Sequence, residues 1–182
     1  MKQGDQDLLL VLGGAAVVGA VLWGANTAAG AVLGTKIAVG NSGPLVLKKV
    51  TSWSGVPQQY MRSDAADTFN QMVDDAYNST GPFGSVIIAA GSAFRSVAEQ
   101  GVLYAEYLAR AMAPPIVAAP GTSNHGNGIA VDITDLSTGH SLTLGSNAHN
   151  YLLAMGPMYG FSWNEGKAVN EPWHWDYLPD AT

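Results

Sequence analysis

At 182 residues the chain has room for one ordinary domain with a real core, and a tail besides. It is 47% hydrophobic and 12% charged, with a net charge of −6 and no basic cluster larger than Lys48-Lys49, which argues against a nucleic-acid binder. The absence of cysteine excludes disulfides, thiolate metal sites, a cysteine nucleophile and lipid attachment through cysteine, so any metal must be held by His, Asp and Glu.

From Leu8 to Thr35 there is no charged residue, and Leu8 to Ala25 is almost wholly apolar. A helix needs about 20 such residues to cross a bilayer. Small residues recur four apart at Ala16, Ala20 and Gly24, a spacing that permits close helix packing. Residues 1–39 therefore read as a hydrophobic helical segment, held in a membrane or in an assembly. A cleaved signal peptide fits less well, because Asp5 and Asp7 stand where a basic start is expected. Residues 40–57, rich in Gly, Ser, Pro and Lys, read as a linker, and 58–182 as the globular domain.

Within the domain, Ser63 to Asn78 has the periodicity of an amphipathic helix, with Ala65, Phe69, Met72, Val73, Ala76 and Tyr77 along one face. Val86 to Ala90 reads as a buried strand. Ser96 is placed to cap a second helix reaching Met112, with Leu103, Tyr104, Tyr107, Leu108 and Ala111 turned inward. Ile116 to Ala119, Ile129 to Thr134, Phe161 to Trp163 and Trp173 to Tyr177 read as strands, and Asn147 to Met155 as a short helix. The mixture predicts an α+β fold, a small mainly antiparallel sheet with flanking helices, preceded by the N-terminal hydrophobic helix.

Two segments carry chemistry. In the first, Ser123-Asn-His-Gly-Asn-Gly-Ile-Ala-Val-Asp132, strand alternation turns Ile129, Val131 and Ile133 to the core and Ala130, Asp132 and Thr134 to the open face. His125 sits just upstream in a glycine-bearing loop that can fold back toward Asp132. Read alone, this segment is equally a polar surface loop with an ordinary Asp on a strand. The second segment, Glu171-Pro-Trp-His-Trp-Asp-Tyr177, places Trp173, Trp175 and Tyr177 on one face, with at least two of them core. His174 and Asp176 lie on the other. Pro172 delays the strand, so Glu171 lies on an irregular approach from which it can reach the side of His174. Two His, one Asp and a free Glu make the complement of a hydrolytic zinc site, three ligands leaving a position for water.

The pattern Ser-x-His-x-x-Gly-x-Ala-x-Asp followed by Glu-Pro-Trp-His resembles the D-alanyl-D-alanine carboxypeptidase family of zinc peptidases. That family is related to phage L-alanyl-D-glutamate endolysins and shares its fold with hedgehog domains. Ser92-Ala-Phe-Arg95-Ser96 with Gln100, and Tyr-Gly-Phe at 159–161, extend the likeness over residues 60–178. The resemblance implies Zn2+ on His125, Asp132 and His174, Glu171 as general base and Arg95 on the scissile carbonyl. Ser123 and Gln100 are implied as substrate-binding or loop-bracing residues. Asp176 departs from the arginine that the family often has there, and could instead support a ligand histidine. His140 and His149 match no motif position and read as surface or structural.

The implied activity is zinc-dependent cleavage of peptidoglycan stem peptides, in the manner of a D-alanyl-D-alanine carboxypeptidase. The alternatives are an L-alanyl-D-glutamate endopeptidase and a non-catalytic protein that keeps the fold. The implied partners are stem peptides, and membrane or phage-particle proteins along the apolar segment. Lys36, Lys48 and Lys49 after that segment would put the domain in the cytoplasm, whereas a wall enzyme needs the other side. The expected location is thus a membrane, facing the wall, or a phage virion.

Overall fold

The computed structural model describes residues 37–39 and 42–179, which belong to one unit. Residues 1–36 of the segment expected to be helical lie outside the described residues, and its last three, Ile37–Val39, form strand β1. Among the described residues no helix is long and apolar enough to cross a membrane.

Strand β1 pairs with β2 (Ser42–Leu45), and β3 (Leu47–Lys49) with β4 (Tyr60–Arg62), both antiparallel. Helix α1 (Ser63–Tyr77) follows at once. Its N-cap residue Arg62 makes no capping bond, but Asp64 in the first turn suits the helix dipole and binds the Arg62 guanidinium at 2.6 and 2.7 Å. Phe69, Met72 and Ala76 are fully buried as expected, whereas Tyr77 ends the helix exposed.

The principal sheet is antiparallel throughout. Its central strand is β6 (Ala130–Asp135), flanked on one side by β5 (Ile88–Ser92). On the other side lie β9 (His174–Tyr177) and β7 (His140–Ser141), with β8 (Phe161–Ser162) beyond β9. Val131, Ile133 and Trp175 join Phe69, Phe161 and Leu152 in a core, with Phe69 and Phe161 edge to face at 5.9 Å. Helix α1 contributes to that core, and the alternate residues of β6 and β9 are left to the other face.

Helix α2 (Val97–Ala109) begins at Ser96 in a full capping box with Glu99, so the predicted start holds. Its inward face does not. Only Glu99 and Gln100 of this helix are buried, and Leu108 is 48% exposed. Ile116 to Ala119 is irregular rather than a strand. Pro114, Pro115 and Pro120 flank it, and prolines cannot complete a ladder. Helix α3 (Asn147–Met155) matches its expected bounds, while α4 (Asn164–Val169) had no periodic signal and was not foreseen.

Part of the expected 40–57 linker is hydrogen-bonded into this unit. Val50 N–H donates to Gln59 O (3.1 Å), closing a loop, and Trp53 N–H donates to Ala90 O (2.9 Å) at the edge of β5.

Candidate metal centre

Asp132 and His174 are register partners on β6 and β9, so their side chains stand side by side on one face of the sheet. His125 reaches them from the loop before β6. That loop turns at Gly128, whose φ of +68° suits glycine, and a Cβ there would lie 2.9 Å from the Arg62 backbone nitrogen. His125 Nδ1 lies 2.6 Å from the Ala93 carbonyl, an acceptor only. Nδ1 therefore donates to it, which leaves Nε2 as the ring nitrogen turned toward the Asp132 carboxylate.

The three donors converge on one point. Asp132 Oδ1 is 3.4 Å from His125 Nε2 and 3.2 Å from His174 Nδ1, and the three residues' donor atoms all lie within 4.8 Å of one another. Tetrahedral zinc ligands at about 2.0–2.1 Å from the ion stand about 3.3 Å apart, so the spacing fits the metal. Both histidines are buried, and a carboxylate oxygen wedged between two imidazole nitrogens calls for a cation. Burial works against the Asp132 carboxylate. The charge of His125 and the hydrogen bonds of both histidines nonetheless hold it well below the usual carboxylate range. Burial likewise opposes charge on His174, but Asp132 and Asp176 outweigh it and push the group up to about 10.

The other predicted residues surround this group. Arg95, at the threshold of α2, donates from Nη2 to Asp132 Oδ2 (3.3 Å) and from Nη1 to Gln100 Oε1 (3.0 Å). Its Nε is buried with no hydrogen-bond partner among the described residues. Burial lowers its pKa, against the opposing pull of Asp132, Glu171 and Glu99. Gln100 also donates to the Ala118 carbonyl (2.7 Å), and Ser123 Oγ accepts from His125 N–H (3.2 Å). In this structure both side chains brace the walls of the site.

Glu171 arrives through a tight turn. Its N–H donates to Gly166 O (2.7 Å), and its carbonyl accepts from His174 N–H (3.1 Å) and from Trp163 Nε1 (3.0 Å). Burial, and then the charge of Asp132, raise its pKa; His174 and Arg95 pull the other way. A carboxylate tuned upward in this manner suits acid–base work.

Behind His174 stand Asp176, expected as a support for a ligand histidine, and two groups that motif reading did not assign, Glu165 and Asn124. The buried His174 Nε2 faces Asp176 Oδ1 at 3.5 Å and Glu165 Oε1 at 3.9 Å. Asn124 donates to both carboxylates, at 2.8 Å to Glu165 and 3.2 Å to Asp176, tying the His125 loop to β9 and α4. Asn124 stands next to His125 in the motif, which was the only sequence signal for it. His140 is exposed on β7, away from the donor group. His149 is buried against Trp163 and Trp175.

Similarity to known proteins agrees with this geometry. The LdcB LD-carboxypeptidase, solved for the basis of its peptidoglycan recognition, is 29% identical, with 78% of this chain and 72% of that one covered and a TM-score of 0.62. VanYB in complex with D-alanine-D-alanine is similar in fold at 20% identity, 79% and 82% coverage and a TM-score of 0.56. A vancomycin-resistance D,D-pentapeptidase VanY mutant in complex with Zn(II) is similar in fold at 23% identity, 79% and 83% coverage and a TM-score of 0.55. No curated protein matches the chain by sequence. The model of the VanY family, D-alanyl-D-alanine carboxypeptidase, matches residues 58–180, two-thirds of the chain, with every donor described above inside it. By that match the chain belongs to the D-alanyl-D-alanine carboxypeptidase family of peptidases.

Proposed function

We propose that this chain is a zinc-dependent peptidase that removes D-alanine from the peptide stems of the bacterial cell wall. The observation that carries the reading is the convergence of His125 Nε2 and His174 Nδ1 on one oxygen of Asp132. In this reading those three residues hold the metal. Zinc, when bound, polarises a carbonyl and lowers the pKa of water. Glu171, its pKa raised by burial, takes a proton from the attacking water and returns it to the leaving nitrogen as the peptide bond breaks. Arg95 stays cationic beside Asp132 and stabilises the oxygen of the scissile carbonyl as negative charge develops there. Ser123 and Gln100 keep His125 and Arg95 in place while this happens.

The 29% identity to an LD-carboxypeptidase favours a second reading, in which the bond cut joins an L-centre to the terminal D-alanine. We further place the enzyme on the wall-facing side of a membrane or in a phage virion, supported by the apolar run alone; membrane fractionation tests that placement.

The deciding experiment incubates the zinc-loaded chain with stem peptides ending either in D-Ala-D-Ala or in a single D-alanine after an L-centre. Mass spectrometry then identifies the products. Alanine lost from the first supports the D,D-reading, and alanine lost only from the second supports the L,D-reading. An internal L-Ala–D-Glu cut would show an endopeptidase instead. Intact peptides throughout would refute the proposal.

A further inference from the structure

A cavity of about 360 Å³ opens beside Asp132 on the face of the sheet that carries the donors. It runs over Thr134 of β6 to His140 and Ser141 of β7, with Ser92 in its lining and Trp53 and Trp173 as apolar walls. Its size is that of a ligand pocket. Trp173 belongs to the Glu-Pro-Trp-His motif. Trp53 does not: it precedes the segment 58–180 that matches the family, and its sequence context reads as linker.

The Trp53 wall is fixed in place. Its N–H donates to Ala90 O (2.9 Å), and Ala90 N–H donates to Thr51 O (2.8 Å), so residues 51–53 extend the edge of β5. The indole lies over Gly55, where a Cβ would come within 2.5 Å of the ring. Gly55 is therefore what lets the indole lie down. An aromatic ring held in this way, half-buried and lining a cavity with a second indole and with Asp132, has the form of a substrate wall.

The register gives the length. Asp132 to Thr134 is one face repeat of β6, and Asp135 pairs with His140 one step further on. At about 3.3 Å per residue the cavity spans two to three residues of extended peptide. A carboxypeptidase releases a single residue from the far side of the bond it cuts. A groove of this length therefore serves the amino side.

Resting on the function proposed above, we propose that Trp53 and Trp173 wall a subsite, running from Asp132 over Thr134 to His140, for the two to three substrate residues on the amino side of the scissile bond. Aliphatic parts of that segment would pack between the indoles, and its peptide groups would meet the hydroxyls of Ser92 and Ser141.

Binding tests this without turnover. Full-length chain carrying Glu171→Gln, loaded with zinc, is titrated by calorimetry with a stem-type pentapeptide and with D-alanyl-D-alanine. The pentapeptide is expected to bind roughly tenfold more tightly, and Trp53→Ala to remove most of that preference. Gly55→Ala, which keeps the indole but displaces it, should weaken the preference in the same direction. Thermal melts check that each variant is folded. A preference that survives both substitutions, or no preference in the unsubstituted wall, overturns the subsite. Because Glu171→Gln binds without cutting, failure here is separate from failure of the parent chain to hydrolyse stem peptides.

Discussion

Asp132 divides its two oxygens between two tasks. Oδ1 faces both histidines, and Oδ2 accepts from Arg95, so one carboxylate links the metal-binding group to the cation that would meet the substrate. Replacing it with Asn removes the charge both depend on, and zinc affinity should fall so far that equilibrium dialysis recovers the chain without metal. Glu171 differs, because it is no member of the donor group. Glu171→Gln should retain one zinc per chain while the cleavage rate falls by about 10²–10⁴-fold, the usual worth of a general base. Asp176 stands behind His174 Nε2, and carboxylates in that position typically change metal affinity about 10–100-fold. Asp176→Asn is thus expected to weaken zinc binding by that order in competition with a chromophoric chelator; an unchanged affinity would remove Asp176 from the metal's support.

At the scale of elements, the site is assembled by one register and one cap. Period-two alternation put Asp132 and His174 each on the open face of its strand, Pro172 freed Glu171 to reach the same side and the family motif joined the three, whereas the register that pairs Asp132 with His174 is seen in the structure. The cap matters because Arg95 and Gln100 flank Ser96. Ser96→Ala breaks the box with Glu99 and should cost about 1 kcal/mol in urea unfolding. It should also loosen Arg95, so cleavage should fall more than stability alone explains. What the sequence obscured lies where local composition and tertiary role diverge. Leu108 has the periodicity of a core residue, yet its helix buries little beyond Glu99 and Gln100. Trp53 sits among Gly, Ser and Pro, the composition of a linker, and only its bonds to Ala90 reveal it as part of the sheet edge. Ile116 to Ala119 has apolar residues without a strand to pair with, which no window of sequence can show.

Across the whole molecule, one core lies on one face of the sheet and the chemistry on the other, and His149 belongs to the core side. It is 1% exposed, 4.6 Å from the Trp163 ring, with neither ring nitrogen hydrogen-bonded among the described residues. Desolvation lowers its pKa. The unfolded chain takes up a proton near about pH 6.5 that the folded chain resists, so this contribution to stability is full above that pH and declines below it. His149→Leu should flatten the fall in urea midpoint between about pH 7.5 and about pH 5; parallel declines in variant and parent would assign the acid sensitivity elsewhere. The α+β architecture and its antiparallel sheet match those of the family's solved structures, and they bring the three donors together. In the proposed function this donor group, with Glu171, makes a zinc peptidase. The sharpest test measures zinc content and D-alanine release on the same preparations of parent chain and Glu171→Gln. One zinc is expected in both, and release from stem peptides by the parent alone. Equal release by both, or release by a parent chain stripped of metal, would contradict it.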